Sequence, residues 1–273
     1  MEDIEIISTQ IDGDITYIKS DFYGKKLAVG SSLGKIIIFE NINNKYQKIS
    51  ELEAHCGPIL GLTWSYPKYG PLLCSCGFDK KINLYVLNAK NQINKIYENE
   101  DLDNSVVCVS FLKSSYTLLL IAGDLNGDLL ILKYNGSGFS SKKVFGHDFG
   151  VNAVKFLDGR SFVSAGCDKK IKIWAFNESL ESVKETLSFP DIDSVTQDLS
   201  VKDESCFAAV TDDGSVYLFK KQKDENNWDK NIIYKAECPL EKIEFSEEGN
   251  ALCIIDETGA ENILNEEQMN SRL

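Results

Sequence analysis

Apolar and polar positions alternate with the two-residue period of β-strands over most of this chain, and the alternation repeats at a longer interval. The segment FVSAGCDKKIKIW, Phe162 to Trp174, is a template: an apolar pair, small residues, a turn with Asp, alternating apolar residues and an aromatic end. It recurs as LAVGSSLGKIIIF, LCSCGFDKKINLY, LIAGDLNGDLLIL, AAVTDDGSVYLF and LCIIDETGAENIL. The copies end at Phe39, Tyr85, Leu132, Trp174, Phe219 and Leu264, at intervals of 46, 47, 42, 45 and 45 residues. A constant period of this length marks a repeat architecture.

Each copy reads as strands. KIIIF, KINLY, DLLIL and KIKIW are β-branched or aromatic-rich runs that follow a tight turn. An alternating segment precedes each copy, such as ITYIKS, ILGLTWS or VNAVKFL, and a more polar strand follows, such as YQKISELEAH. Helical periodicity is weak except in NEEQMNSRL at the end. The predicted fold is all-β: a six-bladed WD-type β-propeller of four-stranded antiparallel blades, the blade length matching the period. The blades are expected near 11–50, 57–98, 105–145, 150–187, 193–235 and 240–266 of a single domain, 1–273, with 1–10 as an N-terminal strand.

The 273 residues carry 29 basic and 42 acidic side chains, a net charge of −13, which disfavours nucleic acid and anionic membranes as partners of the whole surface. No apolar run reaches signal-peptide or membrane-span length, so a soluble intracellular protein is expected. The eight cysteines are scattered, with no C-x-x-C, and there are two histidines; free thiols, no metal site and no cofactor are expected. The sequons at Asn135 and Asn177 are then chance matches. Asp124, Asn126 and Asp128 in DLNGD resemble the start of a calcium loop, but Leu129 and Asn135 break the pattern, and a β-turn is the simpler reading. The acidic run Glu98–Asn104 reads as a solvated loop.

Ser164, His147 and Asp168 are the ingredients of a hydrolase triad. A WD-type blade uses the same residues differently: His before the blade, Ser on the second strand, Asp in the turn and Trp on the third strand satisfy one another's polar groups. The fourth copy has His147, Ser164, Asp168 and Trp174; the second has His55, Ser75 and Asp79, with Tyr85 at the tryptophan position. A nucleophile needs exposure beside an oxyanion hole. Ser164 instead lies in a strand between Val163 and Ala165, and the set is duplicated. Structural tetrads are the expectation, and no catalytic residue is assigned. Copies three, five and six lack the histidine and carry Ala122, Ala209 and Ile254 at the serine position.

AHCGPILGLTWSYPKYGPLLCSCGFDKKINLY in copy two, GHDFGVNAVKF with RSFVSAGCDKKIKIW in copy four, DFYGKKLAVGSS near the start and NNW around Trp228 carry a resemblance. They resemble the WD-repeat propeller shared by the outer cage of coat protein complex II (COPII) and the Y-shaped scaffold of the nuclear pore. The resemblance spans essentially the whole chain; a generic WD adaptor and the sister nuclear-pore propeller are the alternatives.

The resemblance implies an open six-bladed ring, completed in trans by a seventh blade inserted by a helical-solenoid scaffold protein. It implies a non-enzymatic, rigid subunit of membrane-curving coats, peripheral on endoplasmic-reticulum-derived vesicles and at the nuclear pore, without membrane insertion. Leu27, Val29, Ile36 and Ile38 of the first blade and Leu252, Ile254 and Ile263 of the last are the candidate contacts to the inserted blade, with the face that meets it left open by strand parity. Ile4–Ile7 is a strand that pairs either with blade six or with the partner.

Overall fold

The computed structural model describes residues 10–113, 117–190, 192–222 and 227–270. The Ile4–Ile7 strand falls outside the described residues. Among the described residues the strands form six antiparallel sheets, each built from strands consecutive in sequence. The first takes Ile15–Ser20, Lys26–Ser31, Lys35–Ile42 and Lys45–Glu53; the second Ile59–Trp64, Leu72–Gly77, Ile82–Leu87 and Ile93–Asn99. The third takes Val106–Phe111, Leu119–Asp124, Asp128–Tyr134 and Phe139–Phe145; the fourth Val151–Phe156, Ser161–Gly166, Ile171–Phe176 and Val183–Phe189. The fifth takes Thr196–Asp203, Cys206–Thr211, Ser215–Lys221 and Trp228–Lys235. The sixth has three described strands, Leu240–Phe245, Ala251–Asp256 and Glu261–Asn265, followed by a short helix, Glu266–Asn270. The fold is all-β, with the blade-type sheets of a six-bladed β-propeller.

The chain divides into two compact units, 1–145 and 146–273, each holding three successive sheets. In the first unit, Ala28, Ile36 and Ile38 pack on Ile59, Leu62, Leu73 and Tyr85 of the second sheet. Cys74, Cys76, Ile82 and Leu84 pack in turn against Val106, Leu120, Ala122 and Leu130 of the third. In the second unit, Val163, Ala165 and Ile173 meet Leu199, Phe207, Ala209 and Phe219. Ala208, Val210, Val216 and Leu218 of the fifth sheet meet Leu240, Ile243, Leu252 and Ile254 of the sixth. Middle strands are buried on both faces, so they read as continuous apolar runs, whereas fourth strands such as Phe139–Phe145 are mostly exposed.

Two irregularities recur. Every first strand has a one-residue bulge against the second near its start, between Ile15 and Tyr17, Ile59 and Gly61, Val106 and Cys108, Val151 and Ala153, Thr196 and Asp198, and Leu240 and Lys242. A bulge at that place bends the strand and increases local twist. Every turn from second to third strand has four residues closed by an N–H of the fourth on the carbonyl of the first. The fourth residue is left-handed in all six: Gly34, Lys80, Gly127, Lys169, Gly214 and Gly259, with φ between 61° and 96°. At Gly34 a side chain is also excluded by space, since a Cβ would lie 2.0 Å from the His55 carbonyl oxygen.

Candidate functional site

The fourth sheet brings His147, Ser164, Asp168 and Trp174 together. His147 Nδ1 lies 2.8 Å from Asp168 Oδ1, and Nε2 lies 2.7 Å from Ser164 Oγ. The indole N–H of Trp174 donates to the same hydroxyl at 2.9 Å. One proton arrangement satisfies all of this: Nδ1–H donates to the carboxylate, and Nε2 accepts the serine O–H. Asp168 also accepts the N–H groups of Asp148 (3.2 Å) and Lys170 (3.2 Å), fixing the loop before the blade to the turn. His147 and Ser164 are fully buried, and Trp174 stacks on Phe162 at 5.9 Å.

The second sheet repeats the arrangement. His55 contacts Asp79 at 2.7 Å and Ser75 at 2.6 Å, and Asp79 accepts from the Cys56 N–H at 3.0 Å. Tyr85 stands at the tryptophan position, but its hydroxyl donates to the Ala54 carbonyl at 3.4 Å. Burial pushes the His55 ring below its ordinary pKa of 6.5 despite the carboxylate beside it. Burial alone would raise the Asp79 carboxyl; the Cys56 N–H and the His55 ring outweigh it and hold Asp79 below the usual range. Burial likewise would raise Asp168, and His147 with the backbone N–H groups of Asp148 and Lys170 holds it below.

These directions carry a pH prediction. The unfolded chain protonates His55 near 6.5, whereas the folded chain takes that proton only at lower pH. Protons therefore favour unfolding as pH falls through 6.5. The depressed Asp79 and Asp168 add a further loss only below their unfolded value of 3.8. The melting temperature should fall between about pH 7 and pH 5.5, and His55→Asn should flatten that part of the curve; a wild-type curve already flat there would contradict the buried neutral imidazole.

Turns without a histidine use another device, which sequence reading passed over. In the histidine blades the last residue of the second strand is Gly77 or Gly166, and at Gly166 a Cβ would lie 2.5 Å from His147 Nδ1. The equivalent residues elsewhere are Ser31, Asp124, Thr211 and Asp256, whose side chains occupy that space and accept the turn's N–H groups. Ser31 Oγ accepts from Lys35 (3.2 Å), and Asp124 Oδ1 from Asn126 (3.0 Å) and Asp128 (2.9 Å). Thr211 Oγ1 accepts from Ser215 (3.2 Å), and Asp256 Oδ1 from Thr258 (2.9 Å) and Ala260 (3.0 Å). The signal was in the chain: glycine there goes with a histidine, and a short polar residue goes without one. The calcium-like DLNGD is accounted for as this kind of turn.

As chemistry, the Ser-His-Asp set is closed. The Ser164 oxygen is buried and already holds the indole N–H and the imidazole, so no substrate carbonyl reaches it. Cys74 and Cys76 lie in the core between the second and third sheets, where burial pushes both thiols well up and leaves them unreactive.

The candidate contact residues of the first and last blades need correcting. Ile36 and Ile38 face the second sheet, and Leu252 and Ile254 face the fifth, so all four are spent inside their own units. Leu27 and Val29 lie on the other face of the first sheet, with Ile37 and Phe39; Val29 is already fully buried and Leu27 half-buried. Ile263 lies on the other face of the sixth sheet and is 65% exposed. Register places Ile263 beside Cys253 and Ile255 beside Glu261, so the outward row is Cys253, Ile255 and Ile263.

The blades with complete hydrogen-bonded histidine sets are also those that match the family model "WD domain, G-beta repeat", at residues 46–85 and 139–175. A Sec13 homolog of Caenorhabditis briggsae is 30% identical over 91% of this chain and 86% of its own length. The chain belongs to the Sec13 family. Two further relatives agree along most of their length. The Sec13 homolog of Drosophila melanogaster is 26% identical over 95% of this chain and 78% of its own. The protein transport protein sec13 of Emericella nidulans is 22% identical over 86% and 85%. The tetrads are thus the polar sets of two WD-type blades in a Sec13-family chain, and the outward face of the sixth sheet carries the exposed Ile263.

Proposed function

We propose that this Sec13-family chain is a non-enzymatic scaffold subunit of membrane-curving coats, serving the COPII outer cage and the Y-shaped scaffold of the nuclear pore. It acts as a rigid block that stiffens a helical-solenoid protein, which docks by contributing a small sheet as a seventh blade. Relatives named protein transport proteins support the transport role. Among the described residues no helix is long and apolar enough to cross a membrane, in keeping with a peripheral place on the cytosolic face of vesicles and at the pore.

The observation that carries the docking mode is the exposed Ile263 beside Cys253 on the outward face of the sixth sheet. An apolar sheet face invites a partner sheet, combining side-chain burial with strand addition. An interface of this kind buries about 1,600 Å² and survives salt well above the ~0.1 M at which screening reaches ~10 Å. The test is co-purification of coat and pore scaffold proteins with the full chain at about 0.5 M salt. Wild type should retain helical-solenoid partners in stoichiometric amounts, and Ile263→Asp should release them while melting normally. Retention by a folded Ile263→Asp chain would overturn the inserted blade and favour binding at a turn-bearing rim.

A further inference from the structure

Charge is segregated within the first unit, 1–145. In each of its sheets the turns between first and second strands and between third and fourth strands lie at one end, and the remaining turns and loops lie at the other. Strand register sorts the charged residues between the two ends. Toward the first end the first sheet has Lys19, Lys25, Lys26, Lys45 and Lys48, with Asp21 and Glu40. The second sheet adds Lys68, Lys90 and Lys95, and the third Lys113, Lys133 and Lys142, with no acid from either. Among the described residues of the unit, that end therefore holds eleven lysines against two acids, and the other end four lysines against eleven acids. Both acids of the basic end are engaged: Asp21 Oδ1 accepts the N–H groups of Lys25 (2.8 Å) and Lys26 (2.9 Å), and Glu40 pairs with Lys26. Lys48 and Lys95 reach acids of the other half, Glu51 and Glu98, and the basic excess outlasts both pairs. The same end exposes aromatic rings. Phe22 and Tyr23, 52% and 67% exposed, form the tip of the turn from Asp21 to Lys25. Phe22 meets Tyr66 of the second sheet edge-on at 5.6 Å, and the Trp64 indole N–H donates to the Lys19 carbonyl at 3.0 Å, so the turn ends of the two sheets adjoin. An open groove lies between the two sheets at this end, lined by Lys26, Glu40, Pro71, Leu87, Asn88 and Asn91. The exposed Lys25 and Lys90 are chain neighbours of its lining residues.

We propose that this end of the first unit binds an acidic linear segment of a partner protein, laid in the groove with carboxylates toward Lys25 and Lys90 and an apolar side chain against Phe22 and Tyr23. The inference concerns a different surface from the sixth-sheet face and does not rest on blade docking. Charge complementarity selects an anion. Composition and shape select its kind. The first unit has no arginine, the side chain whose planar fork grips phosphate, which tells against nucleic acid. A duplex or a bilayer is also too large to stay on the basic end and meets the acids elsewhere, at the other end of this unit and in a second unit with 26 acidic and 14 basic residues. A bilayer surface is flat and leaves the groove unfilled. An extended segment of about six to eight residues spans ~20–26 Å, the width of two or three sheets packed ~10 Å apart, and so stays within the basic end.

The test uses the full chain and four labelled probes: a short peptide of glutamates around a central phenylalanine, its glutamine counterpart, a short oligothymidylate, and vesicles of mixed phosphatidylserine and phosphatidylcholine. At about 0.05 M salt the glutamate peptide should bind on the order of ten-fold tighter than the glutamine peptide, and the preference should fade at about 0.5 M. Lys25→Gln with Lys90→Gln should bring the two peptides within about two-fold, while Lys80→Gln with Lys184→Gln, exposed elsewhere, should leave the preference intact. Tyr23→Ser should weaken both peptides, and melting curves of every variant establish folding. Equal binding of the two peptides by wild type, or no binding of either at about 1 mM, would overturn the proposal. Equal loss in the control pair would assign the preference to the field of the whole molecule and overturn the site. Tighter binding of the oligothymidylate or the vesicles than of the glutamate peptide, lost in Lys25→Gln with Lys90→Gln, would give the surface to another class of partner and overturn the acidic segment. Concentration-dependent self-association in ultracentrifugation that the same pair abolishes would overturn it too, because the acidic second unit of another copy would then be the occupant.

Discussion

Ile38→Asp should unfold the first two sheets. Ile38 is 1% exposed and sits among Ala28, Ile36, Ile59, Leu62, Leu73 and Tyr85, with no cation in that cluster. An aspartate there either buries an unpaired carboxylate or binds a proton to avoid it, and both leave the packed volume wrong. The loss should exceed about 4 kcal/mol, a large part of the ~5–15 kcal/mol that holds an ordinary domain together. Urea titration by circular dichroism should show a lower midpoint or no folded baseline. Ile263→Asp is the matched control: the same chemical change at a site 65% exposed should move stability by no more than about 0.5 kcal/mol. A midpoint for Ile38→Asp equal to that of wild type would refute the packing of the first sheet on the second.

Asp168→Ala should be the most damaging of the turn substitutions. It strips the acceptor from three donors at once: His147 Nδ1–H and the N–H groups of Asp148 and Lys170. The imidazole is fully buried, and the Asp168 side chain against it is 3% exposed. A buried group left unsatisfied costs about 1–3 kcal/mol, and the loosened turn adds to it. For a chain of this size that is a fall in melting temperature of roughly 5 °C or more. Trp174 reports the same event, because its indole N–H bonds the serine that His147 orients; its emission should shift to the red. Asp168→Asn, which keeps one acceptor oxygen, should cost less. An unchanged melting temperature together with unchanged tryptophan emission would rule out a stabilising network.

Much of this was legible without coordinates. The tetrad needs four residue types at fixed places in a repeat, and the chain's two histidines occupy the same place in two copies. Chemistry that local survives translation from spacing to geometry. The turns of copies three, five and six were read as lacking the histidine, although Asp124, Thr211 and Asp256, like Ser31 in copy one, stand where Gly77 and Gly166 would lead one to look.

By itself the sequence determined the strands, their grouping into six sheets and the His-Ser-Asp sets that tie two loops to their turns, because each depends on residues close in the chain and on a side-chain period of two. The tertiary structure alone decided which half of each strand faces a neighbour. Ile36 and Ile38 pointed inward and Ile263 outward for a reason no alternation reveals. Both halves of a middle strand are apolar when both are buried, and a one-residue bulge near the start of each first strand reverses its parity there. Which face remains open is a property of what packs on the other side, and that is settled only when the sheets come together.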